Sequence, residues 1–387
     1  MSDFGIICEF NPFHNGHARL FSEARKNGGE RIVCVMSGNA VQRGELAAFD
    51  KYIRAEAALK CGADLVIELP FPWCAASAEY FSRAGIYLLS RFCDGVIFGS
   101  ECGDVDRLKV IADRAASAEF REEYRRRTEG GERPAEAYFE MLKGSCDGDI
   151  SSNDLLGIEY IRAAAECAPN MNFATVKRDG AAYNGKELSK GENPSATALR
   201  RIWLEGGFED SAEYMPKEAF YCFEKAYYDG QMTDIYQLSR AILAYFRLAD
   251  PSSFASFADN EGGISNRICA VAHEAASLEE MMQLLYTKRY TDAKLRRAML
   301  FAACGIDREL LSSDPEYTTV LAANDKGREI LSSVRKSCDV KIVTKPADAP
   351  SNSAQYFAAQ RLDAIFTLAK MNTAKSGEYM KKNAYIE

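Results

Sequence analysis

Over its first hundred residues this 387-residue chain alternates short apolar runs with stretches of helical periodicity. Residues 4–9, 31–36, 63–69 and 94–98 are nearly continuous in apolar and β-branched side chains, the pattern of strands buried on both faces. A helical pattern long enough for a crossover separates each from the next. Four strands joined in this way predict an α/β fold with a parallel sheet and right-handed crossovers. Functional residues in such a sheet collect beyond the carboxyl ends of the strands. Those ends carry Asn11 and His14, then Ser37-Gly38-Asn39 with Gln42-Arg43-Gly44-Glu45, then Glu68-Leu69-Pro70, then Gly99-Ser100-Glu101. Glu68 closes an apolar run, so its carboxylate needs a hydrogen-bonded partner or a place in the crevice.

Beyond residue 101 the pattern turns helical and charged. Tyr124-Arg125-Arg126-Arg127 reads as a solvated helix face, with phosphate contact as the alternative. Ser151-Ser152-Asn153-Asp154 opens the apolar stretch LLGIEYIRAAAE as a helix cap. Residues 171–178 predict one more strand, with Arg178 and Asp179 at its carboxyl end. From about residue 208 the chain reads as mostly helical, with one strand near 340–344. The expected division is an α/β domain with a helical insertion over residues 1–205 and a mostly helical domain over 206–387.

Composition narrows the class. The chain is 47% hydrophobic and 27% charged, ordinary for a globular protein. No apolar run reaches the roughly 18 residues of a membrane span, and Asp3 interrupts what would be a signal's apolar region, so a cytoplasmic location is expected. A net charge of −8 argues against a nonspecific nucleic-acid coat and leaves room for a local basic surface. Twelve cysteines without a CxxC pair, beside only three histidines, predict scattered buried thiols rather than a disulfide framework or a protein-held metal.

Two of the three histidines sit in GIICEFNPFHNGH, residues 5–17. The apolar run ends in a tight turn at Asn11-Pro12 and delivers His14-Asn15-Gly16-His17 to a helix start. A helix N-terminus offers unpaired N–H groups and the positive dipole end, which attract phosphate. His14 and His17, three apart, share one face of the first turn. Gly16 lets a base or phosphate approach the backbone. The competing reading is that the pair only caps the helix. A second anion cradle lies in Ser195-Ala196-Thr197-Ala198-Leu199-Arg200-Arg201, where hydroxyls at a helix start precede arginines.

The HxGH segment with a late SATALR segment resembles the HIGH-type nucleotidyltransferase superfamily, whose Rossmann-like domain attacks the α-phosphate of ATP. Within it, GIICEFNPFHNGH, MSGNAVQRGE, ADLVIELPFPWCAASAEYF, FGSE, SSNDLLGIEY, VKRDGAAYN, SATALR and TKRYTDAKLRRAM, in order from residue 5 to about residue 300, resemble the tRNA(Met) cytidine acetate ligase family. The resemblance implies that acetate and ATP form acetyl-adenylate and that the acetyl group passes to the wobble cytidine of elongator tRNA(Met), giving N(4)-acetylcytidine. It implies catalytic roles for His14 and His17. ATP contacts would run along Ile7, Cys8, Glu9, Phe10, Asn11, Pro12, Phe13, Asn15, Gly16, Ala18, Arg19 and Leu20, with Gly99, Asn153 and Arg178, and with Ser195, Thr197 and Arg200 at the distal phosphates. Mg²⁺ would travel with the ATP oxygens rather than in a protein cage. The family more often has a small residue at Cys8, Tyr at Phe10 and an aromatic at Ala40, which puts the acyl pocket in question and leaves the charged positions intact.

The densest basic stretch holds Lys288, Arg289, Lys294, Arg296 and Arg297 beside Tyr286 and Tyr290, a composition suited to an RNA backbone and unstacked bases. A helix with one basic face is the alternative. Other readings remain open: a nucleotidyltransferase of cofactor synthesis, which is typically shorter, an acetate ligase acting on a protein-bound thiol, which usually has Thr at His14, and a noncatalytic tRNA-binding protein.

Overall fold

The computed structural model describes residues 2–144, 149–178, 195–287, 290–377 and 382–387. Five parallel strands, β1 (Ser2–Cys8), β2 (Gly29–Ser37), β5 (Leu65–Leu69), β6 (Gly95–Ser100) and β7 (Asn172–Lys177), lie in the order β5-β2-β1-β6-β7. A two-stranded hairpin, β3 (Ala40–Val41) and β4 (Glu45–Leu46), stands apart from the sheet after β2. The connections are α1 (Asn15–Lys26), α2 (Lys51–Lys60) and α3 (Ala78–Leu89), then α4 (Val105–Ala115), α5 (Ala118–Glu129), α6 (Pro134–Lys143) and α7 (Ser152–Cys167). Strand order reverses between β1 and β6, so the crevice that such sheets use for ligands opens over the ends of those two strands.

Strand alternation sends Ile7, Val33, Val35 and Ile67 into a core with α3, α4 and α7. Ile6, Cys8, Ile32 and Cys34 enter a second core on the opposite face, with α1, α2, α8 (Ala196–Leu204) and α9 (Lys217–Tyr228). The parallel α/β architecture expected for the first half is therefore present.

The remainder of the chain departs from the expected pattern. Helices α10 (Ser239–Leu248), α11 (Ile264–Glu274), α12 (Leu278–Leu285) and α13 (Asp292–Cys304) build a third core. After α14 (Arg308–Ser312), β8 (Tyr317–Ala323) enters the main sheet antiparallel to β5. Beyond α15 (Asp325–Val334), β9 (Lys341–Val343) and β10 (Tyr385–Ile386) add to the outer edge of β8, with α16 (Ala354–Ala369) between them. The sheet thus draws strands from both sides of the boundary expected at 205/206, and the expected parallel sheet is extended by β8, which runs antiparallel to β5. Only β9 was anticipated, near 340–344. YTTVLAA is buried at every position, so it shows no alternation and cannot be told from a buried helix by period.

The described cysteines are free thiols, buried or half-buried. Arg126 and Arg127 pair with Glu123 on the exposed surface of α5, which is the solvated-face reading of that basic run. Glu68 finds its partner in Lys51, whose Nζ lies 2.7 and 2.8 Å from the two carboxylate oxygens.

Candidate active site

The loop after β1 descends through Phe10, which has φ of 44°, and the cis Asn11-Pro12 bond to His14 at the N-cap of α1. Such a φ is uncommon for a side-chain-bearing residue. Packing of the Phe10 ring against Phe13, His17 and Phe21, at centroid distances of 4.9, 5.0 and 5.8 Å, holds it there. At the cap, His14 Nδ1 accepts from the Gly16 N–H at 3.1 Å and His17 Nδ1 accepts from the His14 N–H at 3.2 Å. This is a capping box built from two imidazoles. Accepting through Nδ1 leaves each neutral ring with its proton on Nε2. The rings stack at 3.9 Å between centroids. Capping and ligand binding are therefore not alternatives here, because one nitrogen of each ring serves the helix and the other remains a donor.

Both imidazoles are held neutral. Burial, then the Arg178 charge, lowers His14 to about 4. Burial, then His14 and Arg178, puts His17 well below its ordinary value. Because the unfolded chain binds more protons than the folded one below a pKa of about 6.5, stability is full above that pH and declines as pH falls toward about 4. Urea midpoints should show a loss of about 2 kcal/mol from His14 alone by about pH 5. A stability independent of pH over that interval would show that the pair is not neutral by burial.

Beside the histidines, Glu101 organises the far wall. Its carboxylate pairs with Arg178 at 3.4 Å, accepts from Asn153 Nδ2 at 2.7 Å, and is bound by the Ser151 hydroxyl. Gly99 sits where a Cβ would come within 3.2 Å of Arg178 Cγ, so a side chain there would push the arginine aside. Asp154 completes the capping box with Ser151 and accepts from Ser100 Oγ, tying α7 to the end of β6. Gly99, Asn153 and Arg178 are thus brought together, joined through a carboxylate that had been noted only as part of a loop.

On the other side, Ser195 caps α8, with Ala198 N–H donating to its Oγ at 3.2 Å. Arg200 crosses to the β1 loop, donating to the Asn11 carbonyl at 2.8 Å, and reaches Thr197 Oγ1 at 3.3 Å and Glu45 at 3.4 Å. Asn11 Oδ1 accepts from the Ala48 N–H at 2.8 Å, while its Nδ2 is buried without a partner among the described residues. Glu9, raised by burial, accepts from the Gln42 N–H at 2.8 Å, which joins the hairpin to the same loop.

The other expected contacts divide by place. The side chains of Ile7, Cys8, Phe10 and Phe13 lie in the cores, and Pro12 is buried. Ala18 and Leu20 pack partly against the core, Asn15 Nδ2 donates to the Glu213 carbonyl at 3.0 Å, and Arg19 is exposed. In the basic stretch, Lys288 and Arg289 lie outside the described residues. Lys294 pairs with Glu261 at 3.7 Å, Arg296 with Glu45 at 3.4 Å, and Arg297 with Asp259 at 2.7 Å. Arg297 is 12% exposed and committed to that pair, a tether of α13 more than an open cation.

Arg54 went unnoticed in the sequence. Fully buried on α2, it donates to the Glu9 carbonyl at 2.5 Å, the Ser37 carbonyl at 3.0 Å, the Phe49 carbonyl at 2.9 Å and the Gly38 carbonyl. One guanidinium therefore ties together the ends of β1 and β2. The available signal was a cation at Lys51 and Arg54 in the same stripe as Ala55 and Ala58, a core-facing spacing.

Gly16 offers a direct test of the cap. A Cβ there would lie 2.8 Å from His14 Cε1 and 3.0 Å from its Nδ1, so the ring must move. Gly16→Ala should raise the KM for ATP about tenfold, the effect of about 1.4 kcal/mol, with a melting temperature near that of the parent because alanine's helix propensity offsets the weakened cap. An unchanged KM would exclude His14 from the nucleotide site.

Among the described residues, no group of three or more His, Cys, Asp or Glu is placed to hold a metal ion, and no helix is long and apolar enough to cross a membrane. The family profile for HIGH Nucleotidyl Transferase matches residues 1–381. The tRNA(Met) cytidine acetate ligase of Caldanaerobacter subterraneus subsp. tengcongensis is 34% identical over 97% of both chains, and that of Clostridium perfringens is 32% identical over 91% of this chain and 92% of its own. Thermotoga maritima TmcAL bound with alpha-thio ATP superposes with a TM-score of 0.88 at 27% identity, covering 100% of both chains. The chain belongs to the HIGH nucleotidyltransferases and, within them, to the tRNA(Met) cytidine acetate ligase family.

Proposed function

We propose that this chain is an ATP-dependent carbon–nitrogen ligase that activates acetate as acetyl-adenylate and transfers the acetyl group to N4 of the wobble cytidine in elongator tRNA(Met). The observation that carries the reading is the stacked, neutral His14/His17 pair at the N-terminus of α1, with Arg178 acting on both rings. In the first step an acetate oxygen attacks the α-phosphorus in line, the bond to the bridging oxygen breaks, and pyrophosphate leaves. Charge builds on the α-phosphoryl oxygens and on the leaving group, so fixed donors stabilise the transition state without reorganising. The two Nε2–H groups and the α1 N-terminus supply donors at the α-phosphate, with Arg178 beside them, while Arg200, Thr197 and the α8 N-terminus hold the distal phosphates. In the second step the cytidine amine attacks the acetyl carbonyl, the anhydride C–O bond breaks, AMP leaves, and one amine proton is released.

Magnesium would accompany the nucleotide, ligated mainly by phosphate oxygens and water, the usual mode for this small hard cation. The acceptor rests on the names of the relatives, and a cytoplasmic location follows from that substrate. Labelled acetate, ATP and total tRNA incubated with the protein should yield labelled N(4)-acetylcytidine after digestion. Acetyl-adenylate without label in cytidine would move the acceptor to another molecule. No acetate-dependent exchange of ATP with pyrophosphate would overturn the ligase reading itself.

A further inference from the structure

Glu45, at the start of β4, holds two arginines from different parts of the chain. Its Oε2 lies 3.4 Å from Arg200 Nη2 and its Oε1 lies 3.4 Å from Arg296 Nη2. Arg200 belongs to the phosphate side of the cleft and is anchored on the β1 loop through the Asn11 carbonyl. Arg296 belongs to α13, in the basic stretch of the C-terminal half. The hairpin tip presses on the same helix. Gly44, at φ of 72°, sits where a Cβ would come within 2.7 Å of the Arg297 backbone nitrogen. Arg297 is in turn pinned by Asp259. The second turn of α13 is therefore held one carboxylate away from the nucleotide loop, not set out on a remote surface.

We propose that Glu45 is a positioning residue that shares its charge between Arg200 and Arg296 and so couples the phosphate end of the ATP site to anion binding at α13. Two cations drawing on one carboxylate compete for it. When Arg296 turns to an RNA phosphate, the whole charge of Glu45 falls on Arg200, which then holds pyrophosphate less firmly. When ATP phosphates engage Arg200, the charge returns to Arg296. The two effects are equal by linkage. The partial exposure of all three side chains, 21% to 34%, limits the coupling to a few-fold. Arrival of the acceptor strand would in this way help pyrophosphate depart, an order that suits a two-step transfer.

This inference rests on the nucleotide reading above, and a double-mutant cycle in the absence of RNA tests it. Steady-state ATP–pyrophosphate exchange is measured with acetate for the parent, Arg296→Ala, Glu45→Gln and the double variant, and ATP dissociation constants are taken by calorimetry on the same four proteins. Arg296→Ala should raise the KM for ATP about threefold with little change in kcat, an effect within the range of partly exposed ion pairs. Glu45→Gln should lower that KM, and the double variant should match Glu45→Gln, because without the carboxylate the loss of Arg296 has nothing to transmit. Arg296→Lys, which keeps the charge, should restore the parent KM, an outcome that a packing role for Arg296 does not produce. Additive effects, or an unchanged KM and dissociation constant in Arg296→Ala, would overturn the coupling. Absence of exchange in the parent would count against acetate activation, and the calorimetric cycle would still decide the role of Glu45.

Discussion

The His17→Ala enzyme is expected to lose acetate-dependent ATP–pyrophosphate exchange by about a hundred- to a thousandfold, the usual consequence of removing one preorganised donor from a developing oxyanion. The residue has two jobs, and they separate in measurement. Its Nδ1 accepts from the His14 N–H at 3.2 Å, so alanine also removes a cap, at a cost of about 1 kcal/mol and a few degrees of melting temperature. In the proposed mechanism its Nε2–H serves the α-phosphate, and that loss would appear in kcat. RNA affinity measured without ATP should stay within about twofold, since His17 contacts His14, Phe10 and Phe13 of the β1 loop, whereas Lys294, Arg296 and Arg297 of α13 pair with Glu261, Glu45 and Asp259. Exchange within tenfold of the parent, or loss of RNA binding with exchange preserved, would remove His17 from the chemistry.

The largest stability effect is expected at Arg54. Arg54→Met should cost at least about 4 kcal/mol, because hydrogen bonds from a charged donor are worth about 1.5–3 kcal/mol each and three of the four carbonyl bonds it breaks are buried. Those carbonyls belong to Glu9, Ser37 and Gly38 at the ends of β1 and β2, and to Phe49 just before α2. A urea midpoint reports the loss directly. Arg54→Lys keeps the charge without the planar fork and reaches fewer of these oxygens, so it should fall between the two. A midpoint for Arg54→Met close to the parent would show that solvent or rearrangement satisfies those carbonyls and that the strand ends need no such tie.

The legible part of this protein was local. β1, β2, β5, β6 and β7 follow from apolar runs of five to nine residues, and the caps at His14, Ser151 and Ser195 from residue type at a helix start. Reading β8 as part of a helical half failed because a strand buried on both sides carries no period. The segment that forms the hairpin of β3 and β4 stood in the sequence only as a polar loop after β2, at the carboxyl end of the strand. Folding shows what its polar atoms do: Gln42 binds Glu9, Glu45 binds two arginines, and Asn39 donates to Asp363 of α16 at 2.7 Å. Asp363, raised to about 6 by burial, is a partner more than three hundred residues away that no window on the sequence connects to Asn39.

By itself, the sequence determined the parallel α/β core, the loops that meet at its crevice, and the chemical type of the residues carried there, because each depends on side-chain period and cap chemistry over a few neighbours. Only the tertiary structure decided which groups share a partner. Glu101 joining Arg178 to Asn153, Arg54 closing the strand ends, and Glu45 standing between Arg200 and Arg296 depend on distances set by packing between elements far apart in the chain. The histidine pair itself became specific only in the folded state, where burial keeps both rings neutral and each Nδ1 is taken by the helix, leaving two Nε2–H donors.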